Sequence, residues 1–403
     1  MSTHAEQLLV LGAGRGQVGL IRAARDRGLH VLVATLPSSS APGIAHASEV
    51  IEVDVSDPTA VASAVAGRGL SGVVTSCMDT AMAALGRIVD RHSLIGVSEV
   101  AARQGADKLE MKNSLVAAGV PTAAFRELRS EDDLRVALGE LGLPIVIKAV
   151  DLQGSEGVTI ARTEEAARDG FRTALSLTQR QSVIAEEYIE GVEFGAQALV
   201  YRGEVKFVLP HGDEVISSAT AIPVGHYVPT YGPIPSPGHA SEVTKKAIRA
   251  LGLDNCAVNL DFIARDGEIF VIELTGRAGA NGLPEMVSRH LGVNYYDIIV
   301  GLALGEDPSG ALAVTDQSAL RAVAVRMLMP PPERGYIKTI DVSPSLRPDS
   351  AEYTFFRSVG DSVAGFTSSA DCIGQVVVDG TSIQEALSDL ETAVAAVDIS
   401  VQK

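Results

Sequence analysis

Near the middle of the chain, NLDFIARDGEIFVIEL places two carboxylates, Asp261 and Glu273, on apolar segments either side of Asp266-Gly267, with Arg277 four residues further on. Carboxylates that share a face repel unless a cation or a proton sits between them. Such oxygen donors suit Mg2+, which commonly bridges one or two carboxylates to substrate phosphates. A guanidinium beside them would hold a phosphate or a developing oxyanion. Upstream, PIVIKAVDLQGSEGV ends an apolar run on Lys148 and continues into a loop of Gly154, Ser155, Glu156 and Gly157. Consecutive N–H groups of such a loop wrap phosphate oxygens, and the Lys adds a point charge. It is not a Walker loop, because no GK[ST] follows and the Lys precedes the glycines. Alone it would read equally as a surface hairpin. A third stretch, SVIAEEYIEGVEF, brings Glu186, Glu187, Ile189 and Glu193 to the end of an apolar run. A strand bending there offers backbone groups to a base edge, and Glu193 can accept from ribose hydroxyls. Alone it would be a solvated rim.

The carboxylate pair works only if a hairpin puts both on one face. A two-residue loop, Asp266-Gly267, pairs Asp261 with Ile272 and turns Glu273 away. A three-residue loop, Arg265-Asp266-Gly267, shifts the pairing by one and gives Gly267 the left-handed position of a bulged hairpin. Leu260, Phe262, Ala264, Phe270, Ile272 and Leu274 then share one apolar face. Asn259, Asp261 and Glu273 share the other with Ile263, Ile269 and Val271. A one-residue slip flips every side chain, so burial selects the second register.

The remaining elements are those of an α/β enzyme. QLLVLGAG, LHVLVAT, ASEVIEVDV and SGVVTSC read as strands alternating with helices such as QVGLIRAARDRG, a mostly parallel sheet. After residue 104 come the helix DKLEMKNSLVAAG, the capped helix SEDDLRVALGELG, and further strands and helices. A Pro/Gly-rich stretch covers 222 to 238, and residues 311 to 403 read as short strands plus the helix IQEALSDLETAVAAV. With 403 residues the chain is long enough for two or three compact units. The formal charge is -17 and no basic run occurs, which argues against nucleic acid or an anionic membrane as partner. No apolar stretch is long enough for a transmembrane helix, and the N-terminus lacks the pattern of a signal peptide. Three scattered cysteines, Cys77, Cys256 and Cys372, fit a reducing cytoplasm better than a disulfide framework.

The N-terminal LGAGRGQVG spells G-x-G-x-x-G with Gly14, Gly16 and Gly19. A dinucleotide site also wants an acid at the end of the second strand, where this chain has Thr35. An NAD(P)-dependent oxidoreductase is therefore disfavoured, and the glycines read as a tight strand-to-helix turn.

Taken in order, Asp107-Lys108 before a GVP turn, Lys148 before a glycine loop, EEYIEGVE, Asp261 and the run Glu273-Leu-Thr-Gly-Arg277 resemble the ATP-grasp superfamily over about residues 5 to 400. Within it the chain most resembles carboxylate–amine ligases of the L-amino acid (dipeptide) ligase type. The resemblance implies a Rossmann-like leading domain over 1–105 and an ATP-grasp domain over 106–310, two α+β subdomains clamping ATP, with a lid at about 122–190. It implies a C-terminal α+β extension over 311–403 that shapes the substrate cleft. Lys108 and Lys148 would contact ATP phosphates, and Gly154, Ser155, Glu156 and Gly157 would form the lid loop. Glu187 and Ile189 would present backbone groups to adenine, Glu193 would bind ribose, and Glu186 would belong to the same cofactor-binding stretch. Asp261 and Glu273 would hold Mg2+, or Mn2+, and Arg277 would stabilise the transferring group. Many relatives carry Asn where this chain has Thr275, which leaves a third metal ligand unassigned. His226 would line the acceptor pocket. The implied reaction joins a carboxylate and an amine, amino acids among them, through an acyl phosphate, in a cytoplasmic homodimer. The alternatives are a purine-pathway ligase or carboxylase and a non-catalytic nucleotide-binding module.

Overall fold

The computed structural model describes residues 6–152, 156–217, 221–313 and 320–403. The predicted lid-loop residues Gly154 and Ser155 lie outside them. Four parallel strands open the chain in the order Glu49–Glu52, His30–Thr35, Gln7–Leu11, Leu70–Val74. Their centres are apolar on both faces, as a sheet covered by helices on both sides requires. Gly16 and Gly19 lie in the helix Arg15–Asp26. A Cβ on Gly16 would lie 2.6 Å from Cβ of Cys77, and one on Gly19 within 2.2 Å of the Tyr296 ring. These glycines serve close packing against the rest of the chain, in keeping with the missing acid at Thr35.

A second sheet is antiparallel, in the order Phe125–Leu128, Val183–Glu187, Ile145–Ala149, Val158–Ala161. Helices Glu131–Leu141 and Glu164–Leu177 are capped by Ser130 and Thr163, whose hydroxyls accept from Asp133 and Ala166 N–H groups. Leu134, Ala137, Ala167, Phe171 and Ala174 pack against Ile145, Ile147 and Ala185 to close a separate core.

The largest sheet has eight strands, ordered Glu268–Thr275, Cys256–Arg265, Val192–Tyr201, Glu204–Ser217, Ala221–Val228, Ala322–Leu328, Gly374–Gly380, Glu352–Phe355. The Pro/Gly-rich stretch thus begins as a strand, and the C-terminal extension adds three strands to the central sheet. A strand, Val397–Gln402, follows the helix Ile383–Ala395 and joins a small sheet with Gly335–Val342 and Ser362–Val363. Cys77, Cys256 and Cys372 are unpaired. Among the described residues no helix is long and apolar enough to cross a membrane.

The hairpin corrects one expectation while keeping its consequence. Arg265 pairs with Glu268, so the loop is the two-residue Asp266-Gly267 turn, both residues at positive φ (53° and 82°). The register then shifts between Asp261 and Phe262 by a bulge that leaves Ile272 without an opposite number. Beyond it Asp261 pairs with Glu273 directly. The bulge, rather than the loop, supplies the odd residue that the apolar pattern requires. It also exchanges the faces between bulge and turn. Ile269 and Val271 are buried with Leu260, Phe262, Ala264 and Leu274, whereas Phe270 and Ile272 are only half-buried. Phe270 instead carries the Arg265 guanidinium 5.0 Å above its ring.

Substitution of Val271 by Asp should unfold the domain or cost several kcal/mol, because an unpaired carboxylate enters the core. Phe270→Asp should cost only about 1 kcal/mol, the scale of a surface cation–π contact. Urea titration of both variants checks this, and equal destabilisation would contradict the bulged register.

Candidate active site

The paired strands set Asp261 and Glu273 opposite each other where two cavities meet. One, of ≈ 200 Å³, is lined by Lys148, Glu186, Ile189, Glu193, Asp261 and Glu273 among others. The other, of ≈ 600 Å³, is bordered by the same two carboxylates together with His226, Arg277, Cys77 and Asn281. Burial, then Glu273 and then Asp213 push the Asp261 carboxyl up to about 7. Asn259 Nδ2 donates to Asp261 Oδ1 at 3.2 Å, and Lys108 Nζ stands 3.2 Å from Glu273 Oε1. A group forced so far from its ordinary value by burial and a like-charged neighbour lies where positive charge is most favourable. Thr275 is buried opposite Asn259 and borders the larger cavity.

Two lysines, Lys108 and Lys148, line the smaller cavity, and a third, Lys112, is buried behind its Glu186. The carboxylate of Asp107 caps the helix Lys108–Ala117 by accepting from the N–H groups of Leu109 and Glu110. Lys108 and Lys112, four residues apart, therefore project from one face. Lys112 and Lys148 each place Nζ 3.0 Å from Glu186 Oε2. Burial opposes ionisation of Glu186, but the two ammoniums outweigh it and hold its carboxyl down at about 2. Glu186, expected among the cofactor-binding residues, lines the smaller cavity and is the buried anchor of two cations. Sequence reasoning missed Lys112, although its spacing from Lys108 was the available signal. Glu187 turns outward to Arg265 at 3.1 Å, and its N–H donates to Ala124 O. Ile189 is buried in the cavity wall. Burial, and then Asp213, raise the Glu193 carboxyl. Glu156 borders the larger cavity, and Gly157, at φ +69°, accepts from Ala149 N–H just before the strand whose Val158 pairs with Lys148.

In the larger cavity Arg277 is clamped by Asp79 through two hydrogen bonds, Nε to Oδ1 at 2.7 Å and Nη2 to Oδ2 at 2.6 Å. This fork fixes the guanidinium plane. His226, 4% exposed, borders the same cavity and contacts Asp213 Oδ1 through Nδ1 at 2.6 Å. Sequence reasoning also missed Asp79 and Asp213. Asp79 follows the fourth leading strand and has no motif around it. Asp213 stands two residues after His211, and alternation along a strand was its only signal.

A cleft between two sheets, lined by lysines and closed by paired carboxylates, is the site of an ATP-dependent ligase of the ATP-grasp kind. Residues 106–215 match the family model described as phosphoribosylglycinamide synthetase, ATP-grasp (A) domain, and 326–402 match that of L-amino acid ligase C-terminal domain 2. A solved phosphoribosylglycinamide synthetase from Anaerococcus prevotii is 40% identical, over 98% of this chain and 100% of that one, with a TM-score of 0.83. L-amino acid ligase from Bacillus licheniformis shares the fold at 17% identity, with full coverage of both chains and a TM-score of 0.82. Alanine–anticapsin ligase of Bacillus subtilis (strain 168) is 26% identical over 59% of this chain and 56% of its own. The chain belongs to the ATP-grasp superfamily, and it is an ADP-forming carboxylate–amine ligase that works through an acyl phosphate.

The Glu186 cluster yields a stability test. Lys112→Met leaves a buried carboxylate with one ammonium and should cost about 3–5 kcal/mol at neutral pH. The folded carboxyl ionises below its ordinary 4.5, so its stabilisation is present above 4.5 and is lost as pH falls through about 2. The deficit of the variant against the parent chain should therefore narrow across that window. A deficit under about 1 kcal/mol by urea unfolding at pH 7 would contradict the pairing.

Proposed function

We propose that both substrates of the ligase are amino acids or close analogues, and that the product is an amide or dipeptide. The observation that carries this reading is the charge of the larger cavity. Among its described lining residues, Arg277 is the single Lys or Arg, and Asp79 already holds it in a fork. Asp79, Glu156, Asp261 and Glu273 border the same space. A ribose phosphate dianion, as in a purine-pathway substrate, would face four carboxylates for one committed guanidinium. An amino acid offers one carboxylate to the guanidinium and an ammonium to the acidic wall.

The nucleotide belongs in the smaller cavity, with Lys108 and Lys148 at its phosphates and Glu193 at the ribose. Ile189 would pack on the base, with backbone groups of Glu187 and Ile189 along its edge. Glu156 and Gly157 belong to the loop that closes over the phosphates. Asp261 and Glu273 suit Mg2+, or Mn2+, because they are paired oxygen donors whose mutual repulsion a divalent ion would relieve. Bound there, the ion would neutralise charge on the phosphates. Arg277, fixed by Asp79, holds the carboxylate and later the charge that develops on its oxygen. The chain's own contribution is positioning and charge neutralisation. We assign residues 1–105, 106–310 and 311–403 as its three units, and a homodimer as its assembly.

Glu273→Gln should leave folding intact, since the side chain faces the cleft, but lower turnover roughly hundredfold or more by removing half of the anionic pair. Turnover within a few-fold of the parent chain would remove Glu273 from the metal site.

With ATP and an amino acid but no amine, hydroxylamine should capture the activated carboxyl as a hydroxamate, with ADP released. A screen over amino acid pairs with mass spectrometry identifies the substrates. AMP and pyrophosphate in place of ADP would exclude the acyl phosphate.

A further inference from the structure

Asp213 makes contacts that phosphoryl transfer leaves unused. Its Oδ1 lies 2.6 Å from Nδ1 of His226 and 2.9 Å from Nδ1 of His211. Asp213 and His226 are direct partners across the strands Glu204–Ser217 and Ala221–Val228. The two rings meet edge to face, with centroids 5.2 Å apart and an angle of 82°. Burial opposes ionisation of Asp213, but the imidazoles outweigh it and keep the carboxyl well below the usual range. An ionised carboxylate only accepts, so each Nδ1 facing it carries a proton. In neutral His226 that leaves Nε2 as the basic nitrogen, on a ring that borders the larger cavity beside Arg277. His211 is different. It is fully buried, and its Nε2 has no hydrogen-bond partner among the described residues and faces Gly195, where a Cβ would lie 2.8 Å away. Its role is confined to a second grip on the carboxylate.

We propose that Asp213 and His211 are positioning residues that hold His226 as the proton acceptor for the attacking amine. This rests on the ligase reading above. An amino acid arrives with its nitrogen protonated and without a lone pair. His226 Nε2 takes one proton from the ammonium. The freed lone pair forms the C–N bond at the acyl carbon. The C–O bond to phosphorus then breaks with its electron pair on the phosphate, and the second nitrogen proton leaves with the phosphate. Of the four carboxylates at the cavity, Glu156 is exposed and the other three are otherwise engaged. Asp79 is held by Arg277 and Glu273 by Lys108, and Asp261 lies against Glu273.

The test separates activation from amine attack. Hydroxylamine is already unprotonated near neutrality and needs no base, whereas an amino acid does. Asp213→Asn should lower amide formation by about 10²–10⁴-fold, the usual worth of a general base. Hydroxamate and ADP formation should stay within several-fold of the parent chain. His226→Gln keeps an amide donor towards Asp213 but cannot take a proton. It should show the same selective loss, which keeps the test decisive if Asp213→Asn misfolds. His211→Gln should fall between the parent chain and Asp213→Asn. Equal loss in both assays, or in neither, would overturn the relay. Absence of hydroxamate with the parent chain would instead overturn the ligase reading, and the relay with it. The three ligand atoms lie within 4.8 Å of one another, so a transition ion is the competing use. Amide formation that is lost on chelation, returns with added Zn2+ and not with Mg2+ alone would make the cluster a metal site and overturn the proposal.

Discussion

The cleft is organised around two carboxylates that ought not to be neighbours. Asp261 and Glu273 face each other across a hairpin whose other side is core, and burial with mutual repulsion lifts Asp261 to about 7. Charges in such surroundings interact more strongly than at a surface, so each nearby cation is tied to a particular acid. Lys108 stands on Glu273, Lys112 and Lys148 on Glu186, and Arg277 on Asp79. The cleft thus holds four cations already paired with acids. Phosphates and a divalent ion would exchange partners within it, leaving Glu186 and Asp79 as the fixed anchors that keep cations in place between turnovers.

The carboxylate pair is legible in the sequence, though for a partly mistaken reason. Apolar residues on both sides of Asp266-Gly267 demand one buried face, and Asp261 can oppose Glu273 only if an odd number of the residues between them is left unpaired. The natural place to expect the odd residue is the loop. Asp266 tolerates positive φ, so the turn closes with two residues and the extra one appears as a bulge at Ile272. Bulges of this kind commonly stand beside functional sites, where they re-aim a side chain. Hydrophobic periodicity constrains the outcome at the carboxylates but cannot say where along the ladder the slip occurs. For that reason it puts Phe270 and Ile272 on the wrong face.

Other parts of the site are written in contacts rather than motifs. Lys112 shares a helix face with Lys108, yet nothing local reveals that its partner is Glu186, 74 positions later by the numbering. Asp79 is 198 residues from the arginine it grips, and Asp213 meets His226 only because two strands pair. The N-terminal glycines show the converse. Their spacing suggests a cofactor, but their reason lies in the ring of Tyr296 and in Cys77, which press where a Cβ would be.

The two cavities are walled by different parts of the chain. The smaller is built by the two clamping sheets, and its lysines and acids sit on regular elements that hold them rigidly. The larger borrows its walls from farther away: Cys77 and Asp79 from the leading unit, Asn281 from the turn before helix Leu283–Leu291, and Thr367 to Ala370 from the extension. Arg15 ties the first of these regions to the last. Its Nη2 donates to Ser369 O at 2.7 Å, and its guanidinium lies 4.5 Å above the Phe356 ring. Loops carried by a rigid scaffold can change substrate without disturbing the chemistry beside them.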